Sequence, residues 1–284
     1  MGLEVLVEGL AFGEGPRWHD GRLWYSDFFR HVVEAVTPDG AREQIVEVPG
    51  QPSGLGWMPD GRLLVVSMVD HRVMAWDGSA LTEHADLTDL VHGECNDMVV
   101  AADGTAYVGN KGYDRYAGEE FRTTTLCRVR PDGTADVVAD DLWFPNGSVI
   151  TPEGATLVVG ETQGHRLTAW TIAADGSLSD QRVWADLSDG KGGPVWPDGI
   201  CLDAEGAIWV ADPRGNRVVR VHEGGRISQT VPTGDRMALA CMLGGDDRRT
   251  LYIHTNVTTG PDTAGLLAGR IESTRVDVPG AGLP

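Results

Sequence analysis

A short frame recurs five times along the chain, and an acidic residue followed by glycine comes after each copy at a nearly constant distance. The middle residue of the frame precedes the acidic residue by six positions in the first copy (14 to 20) and by seven in the others (53 to 60, for example). The frames are Gly13-Glu14-Gly15, Pro52-Ser53-Gly54, Cys95-Asn96-Asp97, Pro145-Asn146-Gly147 and Pro197-Asp198-Gly199. Spacing this regular predicts a structural repeat in which every copy builds the same unit.

Short apolar runs follow each acidic-glycine turn, which is typical of β-hairpins. Six units in 284 residues average about 47 residues each, close to the ~40–50 residues of a four-stranded propeller blade. No stretch keeps a 3.6-residue apolar period, so a helical solenoid or a βαβ fold is disfavoured. We therefore predict an all-β fold, a six-bladed β-propeller with four-stranded antiparallel blades, formed by residues 1–284 as one domain.

The last unit supplies only three strands before the chain ends, the third of them within Gly269 to Val278. At the other terminus, the run Glu4 to Glu8 alternates apolar and polar residues and precedes the first complete unit. We expect this run to be the outer strand of the last blade, because that pairing leaves no open sheet edge between first and last blades.

Composition excludes several classes of function. A net charge of −19 disfavours nucleic acid and anionic membranes as partners, since both require a basic surface. The N-terminus carries Glu4 and no basic segment ahead of an apolar core, so we expect neither a signal peptide nor a membrane span, and a cytoplasmic location. The four cysteines form no Cys-x-x-Cys pair, which favours buried, reduced side chains.

The middle position of the frame is where the repeat varies in chemistry, and in this fold it lies at one end of the central channel. Pro-Asp-Gly is also an ordinary turn sequence, but Pro197-Asp198-Gly199 lies seven residues before its own turn, where a first strand begins. Glu14, Asn146 and Asp198 offer only oxygen ligands, which favours one hard divalent cation. We expect Ca²⁺, with Mg²⁺, Mn²⁺ or Zn²⁺ as alternatives.

The connections between second and third strands return to the same end of the channel. In the third unit this connection is unusually long, from Asn110 to Thr124, and we expect it to be a lid or specificity loop; a solvated insertion is the alternative. The glycine-rich segment Asp189 to Val195 is expected at the same face.

These motifs carry a resemblance to a known family. Gly-Glu-Gly-Pro at 13–16, Asn-Asp at 96–97, Pro-Asn-Gly at 145–147 and Pro-Asp-Gly at 197–199, in this order on six repeats, resemble the SMP-30/gluconolactonase/regucalcin family over essentially the whole chain. The resemblance implies a six-bladed propeller with one catalytic divalent metal bound by Glu14, Asn146 and Asp198. It also implies that Asn96 contacts the substrate or is a further ligand, and that the activity is lactone hydrolysis.

One position departs from the family pattern. Members that act on sugar lactones typically carry Arg two residues before the Asn of Asn-Asp, where this chain has Glu94. We therefore expect Glu94 to meet a less polar or differently charged substrate. Trp143 and Trp196 lie at the channel mouth and are candidates for an apolar substrate wall, with packing between blades as the alternative.

The chemistry follows from the residue types. A divalent cation polarises a carbonyl or phosphoryl oxygen and acidifies a water molecule, Asp198 is the candidate catalytic base, and Asn96 is a neutral donor for the substrate oxygen. We predict a metal-dependent hydrolase of a small molecule, most simply a lactonase. A phosphotriesterase-like enzyme on the same metal site and a non-catalytic, calcium-binding interaction propeller are the alternatives.

Overall fold

The computed structural model of the chain describes residues 2–114, 116–189 and 192–282. Over these ranges the chain forms 24 strands arranged as six four-stranded sheets. Neighbouring strands within each sheet run antiparallel. The predicted six-bladed β-propeller is confirmed.

Each of the first three blades is built from four consecutive strands, with the innermost strand first. Their strands are β2 Gly13–His19, β3 Arg22–Asp27, β4 Val32–Val36 and β5 Arg42–Glu47 in blade one; β6 Pro52–Trp57, β7 Leu63–Ser67, β8 Arg72–Trp76 and β9 Leu81–Asp86 in blade two; and β10 Cys95–Val100, β11 Ala106–Asn110, β12 Thr124–Val129 and β13 Ala135–Leu142 in blade three. A 3₁₀ turn, Phe28–Arg30, joins β3 to β4.

Blades four and five follow the same order, and blade six borrows its outer strand from the N-terminus. Their strands are β14 Pro145–Ile150, β15 Thr156–Glu161, β16 Arg166–Ile172 and β17 Leu178–Asp186 in blade four; β18 Ile200–Leu202, β19 Ile208–Asp212, β20 Arg217–Val221 and β21 Ile227–Pro232 in blade five; and β22 Met237–Gly244, β23 Thr250–Asn256, β24 Gly269–Arg275 and β1 Glu4–Leu10 in blade six. A short helix, α1, Thr263–Leu266, lies between β23 and β24.

The two ends of the chain close the ring as the alternating N-terminal run predicts. Strand β1 pairs antiparallel with β24, and the aligned residues include Val7 with Ile271 and Leu10 with Gly269. Val7 and Leu10 are buried in the hydrophobic core that blade six shares with its neighbours. Strand β1 is therefore far from the other strands of blade six along the sequence, but it packs as the fourth strand of that blade.

The glycine of the repeated frame has a packing role. Inner strands of adjacent blades approach so closely there that a Cβ atom on Gly147 would come within 2.5 Å of the Asp198 carbonyl oxygen, and one on Gly54 within 2.3 Å of the Met98 nitrogen. The Gly147 amide donates a 3.1 Å hydrogen bond to the Asp198 carbonyl oxygen. Glycine thus lets the blades meet where the middle residues of the frame face the channel.

All four cysteines are buried and none is bridged. None of the helices in the part of the chain that the structure describes is long and apolar enough to cross a membrane.

Candidate active site

The channel opens into a cavity of about 410 Å³ at the end where the frames lie. Residues from all six blades line it, because the first strands and the connections between second and third strands converge at this end. Its volume lies in the range of ~300–1,000 Å³ that holds small organic ligands.

Four polar side chains lie together on this cavity, and we call them the polar ring: Glu14, Asn96, Asn146 and Asp198. The first three are on the inner strands of blades one, three and four, and Asp198 lies two residues before the inner strand of blade five. Glu14, Asn96 and Asn146 are each at most 9% exposed. The shared register along the sequence therefore corresponds to a shared position around the channel.

A directed chain of hydrogen bonds fixes the orientation of the two amides. Thr162 Oγ1 donates to the Pro197 carbonyl oxygen at 2.6 Å, so that hydroxyl oxygen is left to accept from Asn146 Nδ2 at 3.2 Å. Asn146 Oδ1 must then point the other way, where it accepts from Asn96 Nδ2 at 3.0 Å. One lone pair of Asn146 Oδ1 remains for a further ligand.

The two carboxylates of the polar ring are electrostatically unfavourable as the protein stands. Burial raises the pKa of Glu14 well above its usual range, and the charges of Asp198 and Asp97 raise it further. Burial is also the main cause that raises the pKa of Asp198 to about 8, while a hydrogen bond from Asn146 opposes the rise. Lys111 lowers the pKa of both. The polar ring thus lacks the positive charge that would stabilise its two carboxylates.

Asp97 is adjacent to Asn96 but has a structural role. Its carboxylate accepts a 3.0 Å hydrogen bond from Arg17, whose guanidinium is almost fully buried. The same guanidinium donates to the carbonyl oxygens of Leu55 and Met98. Arg17 thus ties blades one, two and three together in the channel, and Asp97 balances its charge.

The residues predicted to contact substrate divide into two groups. Glu94 and Trp196 line the cavity. Glu94 accepts a 2.5 Å hydrogen bond from Lys111 Nζ, so its charge is paired. The Trp196 ring contacts the guanidinium of Arg214, 3.6 Å from its centroid, and the imidazole of His165, at 4.1 Å between centroids.

Trp143 is not brought to the cavity with them. Its side chain is 43% exposed and packs on Phe121 at 5.2 Å between ring centroids. The next residue, Phe144, lines the cavity instead. Phe144 has a φ of 62°, a left-handed conformation that redirects the chain between these two neighbours.

The long connection of blade three lies over the cavity. Lys111, Tyr113, Asp114 and Tyr116 line it. Tyr116 also reaches across to the connection of blade six, where a Cβ atom on Gly260 would come within 2.5 Å of the tyrosine ring. In the glycine-rich segment Asp189 to Val195, positions 190 and 191 lie outside the described residues.

Sequence reasoning did not identify Phe12, Lys111, Phe144 and Thr162 as site residues. Phe12 and Phe144 each stand two positions before a polar-ring residue, as Glu94 and Trp196 do, so the repeat contained the signal for both. Lys111 and Thr162 follow the second strands of their blades, a position that the frame does not mark. His254 is fully buried and is not among the residues that line the cavity, and burial lowers its pKa to about 4.

The polar ring can bind a hard cation only if amide oxygens act as ligands together with the two carboxylates. No group of three or more His, Cys, Asp and Glu side chains suited to a metal ion occurs within residues 2–114, 116–189 and 192–282. Glu14 and Asp198 supply two carboxylates, and Asn146 presents an amide oxygen beside them. Carboxylate and amide oxygens are ligands that Ca²⁺ accepts.

Comparison with known proteins gives a consistent result. The chain is 26% identical to 6-deoxy-6-sulfogluconolactonase of Pseudomonas putida, over 99% of this chain and 96% of the relative. It is 27% identical to pentonolactonase XacC of Haloferax volcanii, over 99% and 95%. The fold matches the crystal structure of a calcium-binding protein, regucalcin, from Agrobacterium tumefaciens, with a TM-score of 0.82 and 24% identity over 100% of this chain and 96% of that one.

Residues 12–257 match the profile of the SMP-30/gluconolactonase/LRE-like region. This range contains every member of the polar ring and spans more than half of the chain. The protein therefore belongs to the SMP-30/gluconolactonase/LRE-like family.

Proposed function

We propose that this protein is a lactonase that opens a cyclic ester by attack of water, with one divalent cation held by Glu14, Asn146 and Asp198. The observation that carries the proposal is the convergence of these three oxygen donors, with Asn96, at the cavity. The names of relatives that match nearly the whole chain, a sulfogluconolactonase and a pentonolactonase, support lactones as the substrate class.

The electrostatics of the polar ring support a cation. Two neighbouring carboxylates with raised pKa values are an arrangement that bound positive charge would stabilise. We favour Ca²⁺, because the donors are all oxygens and a solved structure of the same fold is described as a calcium-binding protein; Mg²⁺, Mn²⁺ and Zn²⁺ are the alternatives to compare. When bound, such a cation polarises the lactone carbonyl and lowers the pKa of an associated water molecule.

The remaining steps are assigned to side chains of this protein. Asp198 takes a proton from the attacking water on a carboxylate oxygen, which is the role of a general base. Asn96 uses one Nδ2 hydrogen for Asn146, and the second is left to donate to the substrate carbonyl oxygen as negative charge develops there. Thr162 holds Asn146 in the orientation that presents Oδ1.

The test is a hydrolysis screen over sugar, aliphatic and aromatic lactones and a phosphotriester. The protein is stripped by exhaustive chelation and then reloaded with Ca²⁺, Mg²⁺, Mn²⁺ or Zn²⁺. We expect lactone hydrolysis that disappears on chelation and returns with one of these ions. Ser53→Ala is the matched control, because Ser53 occupies the frame position of blade two but lies outside the cavity lining.

Three results would contradict the proposal. Full lactonase activity after chelation would exclude the metal. Hydrolysis of the phosphotriester alone would favour the phosphotriesterase-like alternative. Stoichiometric cation binding with no hydrolysis of any substrate would favour a non-catalytic propeller.

A further inference from the structure

The residue two positions before each polar-ring residue forms a second ring around the cavity. Blade six has a corresponding position before Leu239, which lies seven residues before Asp246 as the repeat requires. We call this set the upper ring: Phe12, Glu94, Phe144, Trp196 and Met237. All five line the cavity. Each inner strand begins at or next to its frame and runs along the channel away from this end. Residues that precede the frame therefore lie nearer the mouth of the cavity.

The upper ring is apolar on four of its five blades. Phe12 stacks on Phe28 at 5.2 Å between centroids and meets Phe29 edge-on at 6.0 Å, and both of these rings also line the cavity. An aromatic wall therefore extends from the upper ring toward the mouth on the blade-one side. The one charged member, Glu94, is paired with Lys111.

The backbone conformation of Phe144 explains how its side chain comes to line the cavity. Its φ of 62° is a conformation in which aromatic residues are uncommon. The surrounding backbone holds it there: the Thr162 amide donates to the Phe144 carbonyl oxygen, and the Gln163 amide to that of Trp143, both at 3.0 Å. Gln51, at the equivalent position of blade two, has a φ of 67° and its backbone is held in the same way by the amides of Met68 and Val69. The turn therefore belongs to the repeat, and in blade four it carries a phenyl ring that lines the cavity.

We infer that the substrate is a lactone with an apolar substituent, an alkyl chain or an aryl ring, which lies against the upper ring while the lactone carbonyl meets the polar ring. A polyhydroxylated sugar lactone would place hydroxyl groups against Phe12, Phe144 and Met237, which offer them no hydrogen-bond partners and so make burial unfavourable. The inference rests on the proposed lactonase function and specifies its substrate class.

The first experiment measures kcat/KM for γ-lactones whose alkyl substituent lengthens from methyl to pentyl, beside glucono-δ-lactone. Each added methylene that is buried should raise kcat/KM about fourfold until the cavity is filled, and glucono-δ-lactone should be the poorest substrate. A flat series, or a preference for glucono-δ-lactone, would overturn the inference and leave the lactonase proposal standing.

Two neighbouring residues provide a matched pair of variants. Phe144→Asn removes the apolar ring but keeps a residue that tolerates positive φ, so the backbone is preserved. It should flatten the dependence on chain length. Trp143→Asn changes the aromatic residue that lies outside the cavity and should leave that dependence as it is in the parent protein. Equal slopes for the two variants would contradict a subsite at Phe144.

A binding measurement separates the subsite from the reaction. Cyclopentanones that carry the same alkyl groups at C3 match the γ-lactones with the ring oxygen replaced by CH₂ and have no ester bond to hydrolyse. Calorimetry on the metal-loaded protein gives their affinities. Affinity that rises with chain length and falls in Phe144→Asn supports the subsite even if no lactone is hydrolysed, an outcome that would reject the lactonase proposal alone. Affinity independent of chain length would reject the subsite.

Discussion

Asn96 Nδ2 donates a 3.0 Å hydrogen bond to Asn146 Oδ1, although the two residues are 50 positions apart and belong to neighbouring blades. Each occupies the middle of its frame, seven residues before its own acidic turn. Asn146 is fixed on its other side by Thr162, which in turn donates to the carbonyl oxygen next to Asp198. The amides and Asp198 are therefore positioned as one unit.

We predict that Thr162→Val weakens cation binding, because valine keeps the shape but cannot accept from Asn146 Nδ2 or donate to Pro197. Loss of an outer hydrogen-bond partner typically lowers metal affinity by about 10–100-fold. Thr162→Ser retains the hydroxyl and should bind nearly as the parent does. Calorimetric titration of the stripped proteins with Ca²⁺ makes the comparison, and equal affinities for the two variants would show that the hydroxyl does not orient Asn146.

Asp198→Asn should reduce activity far more than Asn96→Ala. The first change removes both a negative ligand and the assigned base, and loss of a base alone lowers rates by about 10²–10⁴-fold. The second removes one neutral donor to the developing oxyanion, a loss that lowers kcat by about 10²–10³-fold, and it leaves both carboxylates in place. Metal content is measured alongside kcat to separate the two roles of Asp198. Near-parental turnover by metal-loaded Asp198→Asn would exclude it as the base.

The fold was predictable from sequence because the first strand has nearly the same length in every blade, and that length fixes the spacing between frame and turn. The polar ring followed from the same register. The Trp143 side chain, by contrast, lies outside the cavity because Phe144 adopts a positive φ. Residues 143–144 alone do not indicate which aromatic side chain turns inward; only the offset of two positions from Asn146, compared between blades, marks Phe144. Thr162 and Lys111 lie in the connections that follow second strands. These connections differ in length between blades, so the repeat does not predict which of their residues reach the cavity.

The stability of the metal-free protein should fall as pH rises. The pKa of Asp198 is raised to about 8 and that of Glu14 is also raised, whereas free carboxyls titrate near pH 4 in the unfolded chain. Below about pH 4 these carboxyls are protonated in both the folded and the unfolded state, and they do not lower the free energy of unfolding. Above about pH 4 they ionise first in the unfolded state, so the free energy of unfolding declines until the pH passes about 8.

Urea denaturation midpoints at pH 5 to 8 test this, with Asp198→Asn as the reference in which titrating groups away from the polar ring cancel. The stripped parent protein should lose more stability over this range than the variant, and saturating Ca²⁺ should remove the difference. Parallel curves for the two stripped proteins would mean that the carboxylates of the polar ring are not electrostatically unfavourable.

The ion pair on the cavity wall should control preference for charged lactones. Glu94→Gln leaves the Lys111 ammonium without its partner and should raise kcat/KM for a lactone bearing a carboxylate relative to its neutral methyl ester. Lys111→Gln leaves Glu94 unpaired and should shift the same ratio the other way. Both shifts should shrink at high salt. A ratio that moves in the same direction in both variants would contradict control by charge.

The last prediction concerns the closure of the ring. Deleting residues 1–8 removes most of β1, which pairs with β24 through Val7 and Ile271 and carries an ion pair from Glu8 to Arg270 at 2.9 Å. The edge of β24 would be left unpaired and exposed to association with other chains. We expect the melting temperature to fall by at least about 10 °C and aggregation to increase.

The same truncation should weaken the proposed metal site, because Asn256 at the end of β23 donates a 2.9 Å hydrogen bond to the Ala11 carbonyl oxygen, three residues before Glu14. Loss of the paired strand loosens this connection between blade six and blade one. Deletion of residues 1–3 alone leaves β1 intact and is the matched control. Thermal melts of the three proteins, with and without Ca²⁺, compare both effects, and an unchanged midpoint with unchanged stabilisation by Ca²⁺ in the longer deletion would show that β1 is dispensable for the ring.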